Sequence, residues 1–146
     1  MPGGGDLPTV AGSQINAASA MTQRPSAASP AIITDPESWL GGPEHLSGEW
    51  QGRASGSRIS VIANHMKTGD GAKLHRHPYA ETFVIRKGAV VFTLDGQTVT
   101  CWQGQVIVVP AGVAHAFWNP GPEILDMIDI HENDVFITEW LDPSQP

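Results

Sequence analysis

The chain is poor in cysteine, in tyrosine and in basic residues. One cysteine, Cys101, stands among 146 residues, so no intrachain disulfide can form and no cysteine-rich zinc module exists. Eight Lys and Arg oppose fifteen Asp and Glu, for a net charge of −7. Beyond Lys87 there is no basic side chain, whereas eight acidic ones follow, from Asp95 to Asp142. Phosphate backbones are held by clustered Lys and Arg. Nucleic-acid binding is therefore not expected, and the C-terminal half should repel an anionic membrane. No apolar run approaches the ~18 residues of a membrane-spanning helix. Neither a basic n-region nor an apolar h-region opens the chain, so no secretory signal is visible. These absences point to a soluble, acidic protein of a reducing compartment, expected in the cytoplasm.

What is present is unevenly distributed. Residues 1–31 are mainly Gly, Ala, Ser, Pro, Thr and Gln, with only Asp6 and Arg24 charged. Apolar residues there are too small and sparse to bury a core, so a low-complexity arm or leader, disordered or extended, is expected. Met21 is a candidate internal start. The arm could alternatively lend an edge strand to a partner subunit. Residues 32–146 read as one β-barrel domain. Short β-branched segments recur between Gly and Pro: Ile59–Met66, Thr82–Arg86, Val90–Leu94, Val99–Trp102, Val106–Val109, His115–Trp118, Ile124–His131 and Phe136–Trp140. Asp95-Gly96 between Leu94 and Gln97 signals a two-residue hairpin. Only Pro36–Leu40 suggests a helical turn. Many short strands with Gly/Pro turns predict an all-β sandwich or barrel.

Chemistry-bearing residues concentrate in two stretches. The first runs from Gly69 through His75, His77 and Glu81 to Gly88. Strand side chains alternate faces. His75, His77 and Glu81 at i, i+2 and i+6 therefore share a face if the strand is continuous, or is rejoined in register after Pro78. Two imidazoles and a carboxylate on one side make half of a metal site. Solvent-facing histidines, and a Glu81 paired with Arg76 or Arg86, are the competing readings. The second stretch runs from Gly104 through Pro110, Gly112 and His115 to Asn119. A Pro/Gly turn fixed relative to His115 can deliver one more ligand to a site built elsewhere.

Together the two stretches resemble the paired motifs of the cupin superfamily. Gly69, His75, His77, Glu81 and Gly88 fill the first motif, and Gly104, Pro110, Gly112, His115 and Asn119 fill the second. The fifteen residues between Gly88 and Gly104 are similar to the short spacer of compact, single-domain cupins. The resemblance implies a double-stranded β-helix, or jelly-roll barrel, holding one divalent transition metal ion: Fe, Mn, Ni, Zn, Co or Cu. By position the implied ligands are His75, His77, Glu81 and His115. Glu81 is also the candidate catalytic residue, as a proton carrier.

The remaining candidates are weaker. Phe83, Phe92 and Phe117 are candidate pocket residues, with ordinary barrel core as the alternative. On the last long strand Met127, Asp129 and His131 share one face, opposite Asp126, Ile128 and Ile130. The apolar second set favours an outward Met127, Asp129 and His131; turned inward, Asp129 or His131 would be a candidate acid or base. Cys101 reads as a small buried residue, His65 as a surface residue, and Trp140 as packing on the barrel wall or in an interface. The resemblance implies a metal-dependent enzyme acting on a small-molecule substrate, best read as a dioxygenase-type oxidoreductase. A metal-dependent isomerase or lyase without redox change and a non-catalytic small-molecule- or metal-binding cupin are the alternatives. The lead-in Ile32–Trp50 and the strand Phe136–Leu141 are available to cover sheet edges across a two-fold axis, so a homodimer is expected. Ligation needs neutral imidazole, and with an ordinary pKa near 6.5 metal should leave below about pH 5–6. Because residues 1–20 hold neither core residues nor ligands, deleting them should leave metal content, measured by elemental analysis, and oligomeric mass, measured by light scattering, unchanged.

Overall fold

The computed structural model of the chain describes residues 30–42 and 45–143. Apart from residues 30 and 31, the expected N-terminal arm lies outside the described residues. All described elements fall within Ile33–Pro146. A single turn of helix, α1 (Pro36–Trp39), starts at a proline and leads to Gly41 in the left-handed region, φ 82°. Pro suits a first helical position because its missing N–H has no partner there anyway. Ten strands follow: β1 (Gly48–Gln51), β2 (Ser60–Met66), β3 (Gly71–Arg76), β4 (Glu81–Lys87), β5 (Ala89–Leu94), β6 (Gln97–Trp102), β7 (Val106–Val109), β8 (His115–Trp118), β9 (Leu125–His131) and β10 (Glu139–Trp140). No helix among the described residues is long and apolar enough to cross a membrane.

The strands form two five-stranded sheets, ordered β1-β2-β9-β4-β7 and β10-β3-β8-β5-β6. Every strand pairing is antiparallel, as in the expected double-stranded β-helix. Period-2 alternation sets the inner faces. Glu81, Phe83 and Ile85 of β4 are buried between half-buried neighbours, and so are Leu125, Met127, Asp129 and His131 of β9. Phe83 packs edge-on against Phe92 at 4.9 Å and Phe117 at 5.5 Å, joining the two sheets. With Ile85, Val90, Cys101, Val109, Leu125 and Met127 these rings form one apolar cluster. It fills one end of the interior, which leaves the other end for polar side chains.

The turns obey the glycine signals. Asp95 and Gly96 both take positive φ, 48° and 81°, as the tight hairpin between β5 and β6 requires. Gly88 carries the chain from β4 in one sheet to β5 in the other. Its φ is +83°, and a Cβ there would lie 2.8 Å from the carbonyl oxygen of Ile124.

Three expectations are corrected. The stretch from His75 to Glu81 is not one strand: β3 ends at Arg76, and β4 begins at Glu81 in the opposite sheet. The Pro78 region is a crossover. Met127, Asp129 and His131 point inward, because the register Ile85↔Met127, Phe83↔Asp129 and Glu81↔His131 puts them on the inner face of β4. Ile128 and Ile130 take the outer face and are half-buried. Finally, Phe136–Thr138 is not strand. The Phe136 N–H goes to Gln51 Oε1 at 2.9 Å and the Ile137 N–H to the Tyr79 hydroxyl at 3.0 Å. Backbone groups spent on side chains cannot form a ladder. The short β10 that remains pairs with β3 of its own chain. Phe83→Ala should cost about 3–5 kcal/mol, the usual toll for emptying a buried ring site. A lowered urea midpoint with an unchanged m-value would show it.

Candidate metal centre

Four residues expected to gather do so. Potential ligand atoms of His75, His77, Glu81 and His115 lie within 4.8 Å of one another, and all four side chains are buried. His75 on β3 and His115 on β8 are cross-strand partners, their rings 4.2 Å apart. His77 sits one residue beyond β3. Its carbonyl accepts the Gly112 N–H at 2.8 Å, so the turn of the second motif seats the backbone of the first. Gly112 has φ +79° with open space around it, a conformation that only glycine enters without strain. Glu81 reaches in from the facing sheet. It pairs with neither arginine: Arg76 binds Glu139 at 2.7 Å, and Arg86 lies 3.5 Å from Asp126.

The hydrogen bonds fix which ring nitrogen is free. His75 Nδ1 lies 2.6 Å from the Lys73 carbonyl, His115 Nδ1 2.9 Å from that of Val113, and His77 Nδ1 2.8 Å from that of Ile137. A carbonyl only accepts, so each Nδ1 is the protonated nitrogen and each neutral ring presents Nε2 as a lone pair. Such outer bonds are what orient histidine ligands. Two of these lone pairs face the same carboxylate oxygen: Glu81 Oε2 is 2.9 Å from His115 Nε2 and 3.1 Å from His77 Nε2. Acceptor against acceptor is unfavourable unless a proton or a cation lies between. The buried His77 Nε2 also has no aligned hydrogen-bond partner. Three imidazole nitrogens and one carboxylate oxygen thus fit a divalent metal, and the donor set does not choose among transition metals.

Electrostatics agree. Burial raises the proton affinity of Glu81, but contacts with His115, His131 and His77 outweigh it and hold the carboxyl well below the usual carboxylate range. Burial pushes His75 down to about 4, so it stays neutral in mild acid. Burial also pulls on His77, yet Glu81 and the Ile137 carbonyl win and raise it. The pH window for metal loss expected from a single reference value is therefore split between ligands: His75 resists protons to lower pH, and His77 takes them first. Asp129 is fully buried; burial and the charge of Glu81 push its carboxyl well up, against the Asn64 hydrogen bond.

The cluster opens on a cavity of about 230 Å³. Of the weaker candidates, Phe117, Asp129 and His131 line it, whereas Phe83, Phe92 and Met127 belong to the apolar cluster beyond. Trp140, 41% exposed, closes one side with its ring 5.0 Å from that of His75. His65 is exposed and Cys101 is buried, as expected. Sequence reasoning missed Asn64, whose Nδ2 donates to Asp129 Oδ2 at 2.6 Å, and Tyr79, whose ring stacks on His77 at 5.2 Å. Tyr79 lies inside the first motif and is the single tyrosine of the chain, a signal that could have found it. Nothing in the sequence marks Asn64.

Residues 64–131 match the Cupin domain family. That stretch, similar to the cupin family, carries both motifs. Over 84 residues the chain is 30% identical to mannose-1-phosphate guanylyltransferase of Escherichia coli strain K12, a stretch covering 57% of this chain and 18% of that one. Over 64 residues it is 34% identical to the polyketide synthase CurC of Streptomyces cyaneus, covering 43% of this chain and 42% of that protein. It thus spans less than half the length of either relative. Its fold resembles that of Bacillus subtilis oxalate decarboxylase, a protein with Mn(II) centres, with TM-score 0.57 and 24% identity over 65% of this chain and 27% of that one. Oxalate decarboxylase of Lactobacillus farciminis is similar, with TM-score 0.57 and 21% identity over 66% of this chain and 31% of that one.

His75 gives a pH prediction. Unfolded, it takes a proton at the ordinary 6.5; folded and metal-free, only near about 4. Over that interval the unfolded state binds more protons, so the contribution of His75 to stability falls as pH drops from 6.5 to about 4. The thermal midpoint of the metal-free protein, followed by circular dichroism, should fall more steeply across this window in wild type than in His75→Gln.

Proposed function

We propose that this protein is a metal-dependent enzyme acting on a small enol or phenol, and that its reaction is an oxidation by dioxygen. The observation that carries this reading is the composition of the cavity. His75, His77, His131 and Glu81 line it, its apolar walls are Ile62, Met66, Ala72, Phe117, Phe136 and Trp140, its other polar residues are Glu49, Asn64, Asp129 and Thr138, and no Lys or Arg is among them. A dianionic substrate would have no basic side chain to receive its second charge. A substrate with one anionic oxygen needs none, because the metal takes that charge. The cavity is also smaller than the ~300–1,000 Å³ typical of drug-sized ligands. The name of CurC supports the same chemical class, since polyketides are rich in enol and phenol oxygens.

A bound divalent metal would supply a Lewis-acid or redox centre there. The protein's own part is to hold three neutral imidazoles by their Nδ1 protons, exclude water with apolar walls and present Asp129 beside the substrate. Asp129 also favours a second reading, an isomerase or lyase without redox change. Burial and the charge of Glu81 raise the proton affinity of this carboxyl, the direction a general acid needs.

The test strips the metal by chelation, reloads with Fe, Mn, Co, Ni, Cu or Zn, and follows oxygen uptake on a panel of enols and phenols. Oxygen consumed in proportion to substrate, with a redox-active metal and not with Zn, is expected. Turnover with Zn and no oxygen uptake would select the isomerase or lyase reading; tight binding without turnover would select a binding protein. His77→Ala should lose most of the metal. Undiminished content after reloading would remove the site. For assembly we propose a homodimer. The edge strand β7 exposes Val106 at 61% and Val108 at 58%, a face that a second copy would cover. Light scattering should give twice 15.5 kDa.

A further inference from the structure

A fourth imidazole reaches the carboxylate. His131 of β9 is the register partner of Glu81, and its Nε2 lies 3.0 Å from Glu81 Oε1, the oxygen that His77 and His115 do not face. It is as buried as the other three rings and lines the same cavity. It nevertheless falls outside the group of four ligand atoms that lie within 4.8 Å of one another.

Its outer nitrogen also sets it apart. His75, His77 and His115 each turn Nδ1 to a backbone carbonyl, which must accept. His131 Nδ1 instead lies 3.2 Å from the Tyr79 hydroxyl. That hydroxyl already accepts the Ile137 N–H at 3.0 Å, so its own proton is free to be donated, and His131 Nδ1 stands in reach as acceptor. A neutral imidazole that accepts at Nδ1 carries its proton at Nε2. His131 Nε2 therefore carries its proton beside Glu81 Oε1, 3.0 Å away but out of line for a hydrogen bond, whereas the other three rings point lone pairs inward. A protonated Nε2 cannot ligate a metal.

We infer that His131 is a positioning residue rather than a ligand: set in its tautomer by Tyr79, it packs a protonated nitrogen against Glu81 Oε1 and leaves Oε2 alone to face the metal. The inference rests on the proposed metal site for its last clause only; the tautomer of His131 is a property of the chain with or without metal. Tyr79 has a second task. Its ring lies parallel to that of His77, 5.2 Å away and inclined by 6°, and the Ile137 peptide serves both, giving its N–H to Tyr79 and its carbonyl to His77. The loop residues 136–138 are thus a clamp that sets one ligand and one non-ligand in opposite protonation patterns.

The experiment uses the full chain labelled with ¹⁵N-histidine, loaded with Zn(II), and records two-bond ¹H–¹⁵N correlations of the imidazoles. Three buried rings should show Nδ1–H with a zinc-shifted Nε2. His131, assigned by its loss in His131→Gln, should show Nε2–H and no zinc shift. Tyr79→Phe removes the donor and should abolish the pure Nε2–H pattern of His131. His131→Leu should weaken Zn(II) binding by about 10- to 100-fold, the usual effect of losing such an outer partner. His131→Gln, whose amide can also present an N–H to Oε1, should restore most of it. Four zinc-shifted imidazoles, or His131 in the Nδ1–H form, would overturn the inference. If no zinc binds at all, the proposed enzyme reading fails on its own, while the metal-free spectrum still decides the tautomer: Nε2–H upholds it and Nδ1–H sinks it.

Discussion

A carboxylate with almost no access to water is the constraint around which the interior is arranged. Glu81 is 2% exposed and held in its charged form. An isolated buried carboxylate would neutralise itself rather than remain ionised. Imidazole nitrogens approach both of its oxygens at 2.9–3.1 Å, and it stays ionised where a proton or a cation lies between them. His75, His77 and His115 come from the β3–β8 side and Glu81 and His131 from the β4–β9 side. The interactions that keep the charge in place therefore also tie the two sheets together at the polar end, as Phe83, Phe92 and Phe117 do at the apolar end.

The imidazoles are held by one short-range device used twice. His75 bonds to the carbonyl of Lys73 and His115 to that of Val113, each two residues earlier. A carbonyl that close in the chain needs no tertiary fold to be present, only the local backbone. His77 depends on a distant partner, Ile137, sixty residues on. That dependence explains why the segment before β10 gives up its ladder. Its peptide groups are worth more as partners for His77 and Tyr79 than as a longer edge strand.

Charge distribution across the molecule matches the cavity. Lys and Arg stop at Lys87, and the arginine ion pairs lie at the surface, Arg53 with Asp134, Arg76 with Glu139 and Arg86 with Asp126. Exposed pairs of this kind contribute little to stability. No Lys or Arg lines the cavity, so in the proposed reaction the charge on a substrate would be left for a metal to balance.

The ten motif positions were legible in the sequence because each answers to a local demand. Glycines such as Gly88 and Gly112 sit where φ is positive, and histidines sit at fixed offsets from those turns. Strand alternation and the Asp95-Gly96 hairpin likewise depend on nearest neighbours, and they brought the all-β class and most strand limits with them. What the sequence left undecided was which sheet each strand joins and which face turns inward. His75 and Glu81 look like one strand face and belong to opposite sheets. On β9 hydrophobicity points the wrong way, because the buried face carries Asp129 and His131 and the half-buried face carries isoleucines. An inward polar residue is stabilised only by partners from other strands: Asn64 for Asp129, and Tyr79 and Glu81 for His131. Those partners lie 50 to 65 residues away in the chain, and pattern along one strand carries no trace of them.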